Sequence, residues 1–302
     1  MRDRSTAPAE PPLTPAEWRN LGFRISEVSP VHGGYVTADP TPEPDFDMHY
    51  GLELGVVLSG RMRRLWRTWE AELAPGQVWF CGVWERHGWQ VLTPGCRHFV
   101  FVLLPQFLLH ARFQEAPDLD WMAPFAVPPP ERPRLQGTAR REIVALMRRS
   151  EPNLSTANPQ RAVSLELVAL EVLLLALQGW TPPRRRPPTL PEPHYALVNR
   201  AVEIALEGRQ PLKAREVAQL VGMSPAAFAR SFRGLMAISF ARFALRSRLA
   251  QAAAQLVGSG DSTAKVAADW GFGGTRHFQR SFMRHYGLGP AAYRERRGRP
   301  PA

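Results

Sequence analysis

Residues 215–243 read REVAQLVGMSPAAFARSFRGLMAISFARF, and residues 264–293 read AKVAADWGFGGTRHFQRSFMRHYGLGPAAY. The two stretches are one pattern written twice. Val217-Ala218 aligns with Val266-Ala267 and Gly222-Met223 with Gly271-Phe272, at an offset of 49 residues. Beyond the glycine the offset becomes 50: Phe228 pairs with Phe278, Arg230-Ser231-Phe232 with Arg280-Ser281-Phe282, and Phe243 with Tyr293. One extra residue near Gly273-Gly274 accounts for the step. In each copy a short apolar helix is expected to end at a glycine, the residue that enters the left-handed region without a Cβ clash. A second helix then begins, at Ser224-Pro225 in the first copy, where Ser caps and Pro suits the first turn. In the second copy Thr275, or the residue before it, takes the cap position. Phe228 and Phe232, four apart, face a core, and Phe278 and Phe282 repeat them. The opposite face is left to Ala226, Ala229, Arg230 and Arg233 in the first copy, and to Thr275, Arg276, Gln279 and Arg280 in the second. Two helix-turn-helix units in tandem, joined by a helix over about 239–257, imply a reader of double-stranded DNA.

The charge agrees with that reading. The 302 residues carry a formal charge of +11. Residues 194–302 hold 17 Lys and Arg against 6 Asp and Glu, whereas residues 1–193 hold 21 of each sign. The whole excess therefore lies on the segment with the repeat, as expected of a surface that meets phosphates. A lone amphipathic basic helix is absent, so a membrane partner is not expected. Cys81 and Cys96 make no disulfide framework. The opening MRDRSTAPAEPPLTP has no apolar core of signal-peptide length, and a cytoplasmic location is expected. The most apolar run, 162–177, is interrupted by Ser164, Glu166 and Glu171, which argues against a membrane span.

The fold class expected is α+β. Residues 1–23 form a Pro-rich, disordered arm. Residues 24–130 form a sensor domain: over 24–105, short apolar runs such as HYGLELGVVLSG, APGQVWFCG and RHFVFVLLP alternate with Gly and Pro turns, the pattern of a β-sandwich or small barrel. Residues 105–114 read as a short helix. Residues 131–180 form a helical segment for dimerisation or interdomain packing. Within it, 134–149 sets Leu135, Ala139, Ile143, Leu146 and Met147 on one stripe. The stretch 159–179 is apolar nearly all round, so burial between domains or between protomers is expected. The Pro- and Arg-rich 181–193 is a stiff linker whose Arg184-Arg185-Arg186 is either solvated spacer or a phosphate contact. Residues 194–302 are all-α.

The repeat, its spacing and the closing GLGPAAYR resemble the AraC-type transcriptional regulators over about 100 residues. The resemblance implies that both recognition helices enter successive major-groove segments, held apart by the central helix. Arg can bridge guanine O6 and N7, and Gln can pair with adenine. The second copy, with Arg276, Gln279 and Arg280, is therefore expected to discriminate sequence more than the Ala226/Ala229/Arg230 face of the first. Arg230 and Arg280 either read bases or hold phosphate. The family's usual glycine before Ile-Ser-Phe is Ala237 here, which would add strain if the position needs positive φ, while the second copy keeps Gly287. The resemblance also implies a homodimer, RNA polymerase as a partner, and no enzyme activity.

Regulators of this type commonly carry a cupin-like β-barrel before the DNA reader, and 24–105 resembles one. Asp47, His49, Glu53 and Gly60 have the spacing of the first metal-cupin motif, with Asp where the first His is usual. Gly76 and His87 keep the spacing of the second, although Gly82, Trp84 and Val91 replace its Pro, Gly and Asn. If 47, 49 and 53 lie on one strand their shared parity turns them to one side. With His87 opposite, they form a two-His, two-carboxylate set suited to zinc, iron or manganese. The alternative is a metal-free pocket for a small-molecule effector. Trp66, Trp69, Trp79, Phe80, Trp84, Trp89 and Phe99 are mostly core, with a few left to line such a pocket. Cys81 and Cys96 are inert buried thiols, or else take part in ligation or redox sensing. A sequence-specific, effector-responsive DNA-binding regulator, activator or repressor, is the expected function. The rival is a metal-dependent cupin enzyme fused to a DNA-binding module.

Overall fold

Short β-branched and aromatic runs between Gly and Pro turns become eight strands in the computed structural model, which describes residues 25, 28–67, 69–183, 192–236 and 238–297. They are β1 (Val31–Ala38), β2 (Asp45–Asp47), β3 (Leu52–Ser59), β4 (Met62–Trp66), β5 (Trp69–Leu73), β6 (Val78–Cys81), β7 (His87–Val91) and β8 (Cys96–Leu103). All pairings are antiparallel, in two four-stranded sheets ordered β1-β8-β3-β6 and β2-β7-β4-β5. The chain divides into two units, 20–192 and 193–302.

The sheets face each other across a core to which both contribute, with Val57, Trp79, Cys81 and Cys96 from one and Met62, Trp66, Leu73 and Val91 from the other. The barrel expected from the sequence is thus a pair of facing sheets that do not close: among the described residues no ladder joins β5 to β6. A physical reason lies in the strap that follows the sheets. The Arg132 guanidinium donates to the Phe80 carbonyl at 2.5 Å, so an acceptor of the β6 edge is taken by a side chain rather than by a strand. On β3, Gly55 is required by close approach, because a Cβ there would lie 1.9 Å from the Trp79 ring.

Helices cover the outer face of the first sheet. After α1 (Pro105–His110), α2 (Ala123–Ala126) and a 3-10 turn (Pro129–Glu131) come α3 (Gly137–Ser150) and α4 (Arg161–Leu177). α3 packs on β3, and α4 on β1 and α3. The expected helix over 134–149 starts later because Gly137, at φ 52°, makes the turn into it. Leu135 is buried ahead of the helix. On α4, expected to be buried between domains or between protomers, Leu165, Val168, Ala169, Val172, Leu173 and Ala176 are buried within this unit, while Val163, Leu167 and Leu174 are exposed. A helix lying on a sheet has one face to bury, so only that half of the apolar pattern is used within this unit.

The second unit is helical: α5 (Glu192–Glu207), α6 (Ala214–Leu220), α7 (Pro225–Met236), α8 (Phe240–Gly258), α9 (Thr263–Asp269), α10 (Thr275–Tyr286) and α11 (Pro290–Arg297). The expected linker loses its last residues to α5, and 184–191 lie outside the described residues, as do the arm 1–23 and Ala237. Gly222 and Gly271, at φ 72° and 63°, are the left-handed turns between α6 and α7 and between α9 and α10. Each half has its own aromatic core. Phe228, Phe232, Phe240 and Phe243 pack at ring separations of 5.2–5.7 Å. Phe272, Phe278, Phe282, Tyr286 and Tyr293 do so at 4.5–5.3 Å. Phe278 is fully buried. Phe278→Ala should therefore cost about 3–5 kcal/mol in the chemical denaturation of this unit, against less than about 0.5 kcal/mol for the exposed Arg276→Ala. Equal effects would disprove the assigned core.

Candidate nucleic-acid interface and candidate metal centre

The second helix of each helix-turn-helix unit presents the face the sequence assigned to it. On α7, Ala226, Ala229, Arg230 and Arg233 are exposed while Phe228, Ser231 and Phe232 are buried. The Ser224 hydroxyl accepts from the Ala227 amide at 3.3 Å and so caps the helix. On α10, Arg276, Gln279 and Arg280 are exposed and Thr275 is half-buried. The cap position there is Gly274, at φ 115°, and no side chain caps it. The sequence reading passed over two further exposed residues of α10, His277 and Arg284. Arg284 lies four residues after Arg280, a spacing that could have found it.

Polar contacts hold α9 and the turn after it against α8. The Arg248 guanidinium, desolvated so that its pKa falls, donates to the carbonyls of Trp270 and Gly271 at 3.1 and 3.3 Å, ending α9. Gln255 donates to Asp261 and Asp269 at 2.7 and 2.8 Å and accepts from the Trp270 indole at 2.7 Å. Arg294 donates to the Leu256 carbonyl at the end of α8. Near the end of α10, burial and the cations Arg246 and Arg242 push His285 down to about 4, so it stays neutral at physiological pH.

In the sheet unit, Asp47, His49, Glu53 and His87 converge, each offering a donor atom within 4.8 Å of the others. The route differs from the one the sequence suggested. Residues 47, 49 and 53 do not share a strand: Asp47 ends β2, Glu53 is on β3 in the other sheet, and 48–51 link them. His87 opens β7 directly opposite Asp47. His49 and His87 are each 1% exposed and Glu53 5%, so the cluster is internal. Its ring planes stand nearly perpendicular, with centroids 5.2 Å apart.

The two oxygens of Glu53 do different work. Oε1 accepts from Arg64 and from the Trp79 indole, both at 2.6 Å. Oε2 faces His49 Nε2 at 3.3 Å and His87 Nε2 at 3.2 Å. His87 Nδ1 lies 2.7 Å from the Glu85 carbonyl, which fixes it as the protonated nitrogen. Nε2 then points at Asp47 Oδ1 from 2.5 Å, an arrangement of lone pair against lone pair unless a proton or a cation lies there. Burial opposes ionisation of Glu53, but His87 and Arg64 hold its carboxyl well below the usual range. Burial raises Asp47 as well, and His87 more than offsets it. Burial also opposes charge on His87, yet Cys81, Asp47 and Glu53 hold its imidazole well above the ordinary value.

The donor set fits a divalent ion. Two imidazoles and two carboxylates, with donor atoms within 4.8 Å of one another, are the ligand types that such an ion takes. The Nδ1 contact of His87 is the outer hydrogen bond that orients such ligands. The sequence reading missed Arg64, which is 3% exposed and backs Glu53. Its parity with Met62 and Trp66 on β4 was the available signal, since alternate residues share a face. Cys81 lies 3.5 Å from Arg64 and 3.8 Å from Glu53 Oε1, and is a free buried thiol like Cys96.

Comparison with known proteins locates the likeness mainly in the helical unit. A family model described as a helix-turn-helix domain matches residues 217–296. A helix-turn-helix-type transcriptional regulator of Mycobacterium tuberculosis is 36% identical over 80 residues, 26% of this chain and 31% of that protein. The chain thus spans about a third of the length of this curated relative. Among solved structures, the C-terminal domain of AraT, a response regulator from Geobacillus stearothermophilus, is 24% identical with a TM-score of 0.33, covering 34% of this chain and 88% of that one. ToxT from Vibrio cholerae is 9% identical with a TM-score of 0.48, covering 88% of this chain and 98% of that one. The repeated motif, its two glycine turns and the matched family model make residues 217–296 a helix-turn-helix domain.

Proposed function

We propose that this chain is a sequence-specific DNA-binding transcription regulator whose activity is set by an effector held between the sheets. One observation carries the reading. Two helix-turn-helix units present exposed arginines and a glutamine on their second helices, in the segment that carries the entire basic excess of the chain. Phosphate contacts supply salt-dependent affinity, and the exposed Arg and Gln supply the base discrimination. Recognition is asymmetric, because α7 offers two alanines where α10 offers Arg276, Gln279 and Arg280. The effector is a divalent transition metal (zinc, iron or manganese) bound by Asp47, His49, Glu53 and His87, or a small molecule bound through it. When bound, the ion would offer Lewis acidity and open coordination positions, while Arg64 and Trp79 hold Glu53 in place and the surrounding apolar core keeps water out. A cupin enzyme would use the same four residues, and turnover of a small molecule by the metal-loaded protein would favour it.

The regulator is a homodimer joined through α4. Val163, Leu167 and Leu174 are exposed, and Leu170 between them and Leu177 after them are half-buried. Their spacing alternates four and three residues, the seam that a second helix of the same kind fills. No helix of the described residues is long and apolar enough to cross a membrane, so the seam is not a lipid-facing span.

In a binding-site selection on the full chain, Arg276→Ala or Gln279→Ala should relax preference at one or two base pairs, a loss of about 1–3 kcal/mol of discrimination. Arg233→Ala should instead weaken binding to all sequences alike. An unchanged selection profile for both α10 variants would defeat the assignment of α10 as the principal reader. Protein purified without chelator should contain close to one equivalent of metal per chain by elemental analysis, and His49→Ala should lower it at least about tenfold at limiting metal. Sub-stoichiometric metal in both proteins, even after reconstitution, removes the ion from the proposal. Leu167→Glu should shift the protein to monomer in sedimentation; a monomeric wild type, or a variant that stays dimeric, excludes the α4 seam.

A further inference from the structure

Where β5 and β6 fail to pair, the sandwich has an opening, and the strap 129–134 covers it only partly. The space beneath opens to solvent and is walled by Trp66, Trp69, Leu73 and Trp79, with Arg132 and Arg134 on the strap side. Trp79 lines it, and none of Asp47, His49, Glu53 and His87 does. Nothing in the DNA reading or the metal reading uses it.

Three observations give this cavity a chemistry. Its inner wall is aromatic: Trp66 and Trp69 lie with centroids 5.1 Å apart and planes tilted by 33°, so their outer surfaces make a broad apolar face. Trp66 is 8% exposed, yet its indole N–H has no acceptor among the described residues. A buried donor without an acceptor is costly and is normally satisfied by protein, water or ligand. The third observation is the cation at the mouth. The Arg134 guanidinium stacks 4.7 Å from the Trp69 ring centroid, and its one hydrogen bond, to the Pro130 carbonyl, is 3.3 Å long. No carboxylate of the described residues pairs with it.

The other charges of the lining are already matched. Arg132 donates to both carboxylate oxygens of Glu85 and to the carbonyls of Val127 and Phe80. Glu72 is held by Arg63 at 3.4 Å and Arg61 at 3.8 Å. Arg134 is therefore the unmatched charge of this lining, and it lies beside an aromatic wall with an unused N–H donor.

We propose that this cavity is a binding site for a planar aromatic carboxylate. The ring packs against the tryptophan wall, one acceptor oxygen takes the Trp66 N–H, and the negative charge is drawn to Arg134. An apolar wall alone would accept any hydrophobic ligand; the donor and the cation select an anion. Trp79 is a wall of this cavity and a hydrogen-bond donor to Glu53 Oε1, so the bound ring rests against a residue that also holds the buried cluster.

The test is calorimetric titration of the full chain with 2-naphthoate, with 2-naphthylmethylammonium and cyclohexanecarboxylate as comparison ligands. Saturable binding of 2-naphthoate is expected, with the cation and the saturated acid at least about tenfold weaker. Arg134→Gln, at an exposed position, should weaken 2-naphthoate about fivefold to tenfold without lowering Tm, and should abolish the preference for anion over cation. Trp66→Phe keeps a ring while deleting the donor, and should weaken binding by a similar factor. Binding that persists after chelator treatment separates this site from the metal reading, which can fail while this one stands. No saturable binding at millimolar 2-naphthoate overturns the proposal. So does equal binding of the ammonium analogue, or wild-type affinity in both Arg134→Gln and Trp66→Phe.

Discussion

A carboxylate cannot be buried in a β-sandwich without cations and donors arranged around it, and Glu53 imposes that demand on the interior of the sheet unit. It is 5% exposed and ionised, so the neighbouring strands must bring it compensation. β4 turns Arg64 inward in line with Met62 and Trp66, β6 brings the Trp79 indole, and β7 brings His87. Gly55 leaves room for Trp79 to lie flat against β3 and reach Oε1. With Oε1 saturated by two donors, Oε2 is left to face the two imidazoles. This division of one carboxylate, half structural and half available, makes a four-residue donor set out of what would otherwise be a closed ion pair.

What could be read from the sequence depended on how local the constraint was. The helix-turn-helix pair was legible almost residue by residue, because its determinants lie within a few positions of each other: a phenylalanine pair four apart, a glycine at each turn, and a Ser-Pro helix start. The convergence of Asp47, His49, Glu53 and His87 was also visible in their spacing. The reason given for it was incomplete, since parity along a single strand cannot apply when the chain crosses from one sheet to the other between 48 and 51. Arg64 was overlooked because a lone arginine in a strand is normally solvated, and only its alternation with Met62 and Trp66 marked it as internal. Closure of the sheets could not be judged at all, because it depends on a contact between Arg132 and Phe80 about fifty residues apart. The α4 pattern was read correctly as apolar all round, but sequence cannot show which half of such a helix its own domain covers.

The two halves of the helical unit share a core plan and differ in what surrounds it. α9 and the turn after it are braced by Arg248, Gln255 and Arg294, and these side chains reach mostly backbone carbonyls or each other's partners. In the first unit Ser231 of α7 meets His194 at 2.8 Å, and Ser247 donates to the Ala205 carbonyl at 3.3 Å. A recognition helix discriminates bases only if its side chains are presented in a fixed frame, since a displacement of a fraction of an ångström spoils a bidentate contact. In the function proposed above, the residue types on its exposed face make α10 the richer reader.

Trp79 occupies a corresponding position in the sheet unit. One edge of its indole holds Glu53, the Arg64 guanidinium lies 4.7 Å from its ring centroid, and it also walls the cavity at the open edge. A ligand that moves this ring alters the geometry of Oε1 and hence the orientation of the whole carboxylate. An ion held by the proposed four-residue set would restrain the same side chain through its other oxygen. Any free-energy coupling between the two sites is reciprocal, so a ligand that tightens metal binding must itself bind more tightly to the metal-loaded protein. The failure of the two sheets to close supplies this arrangement, since a continuous barrel would leave Trp79 with a single environment to report on.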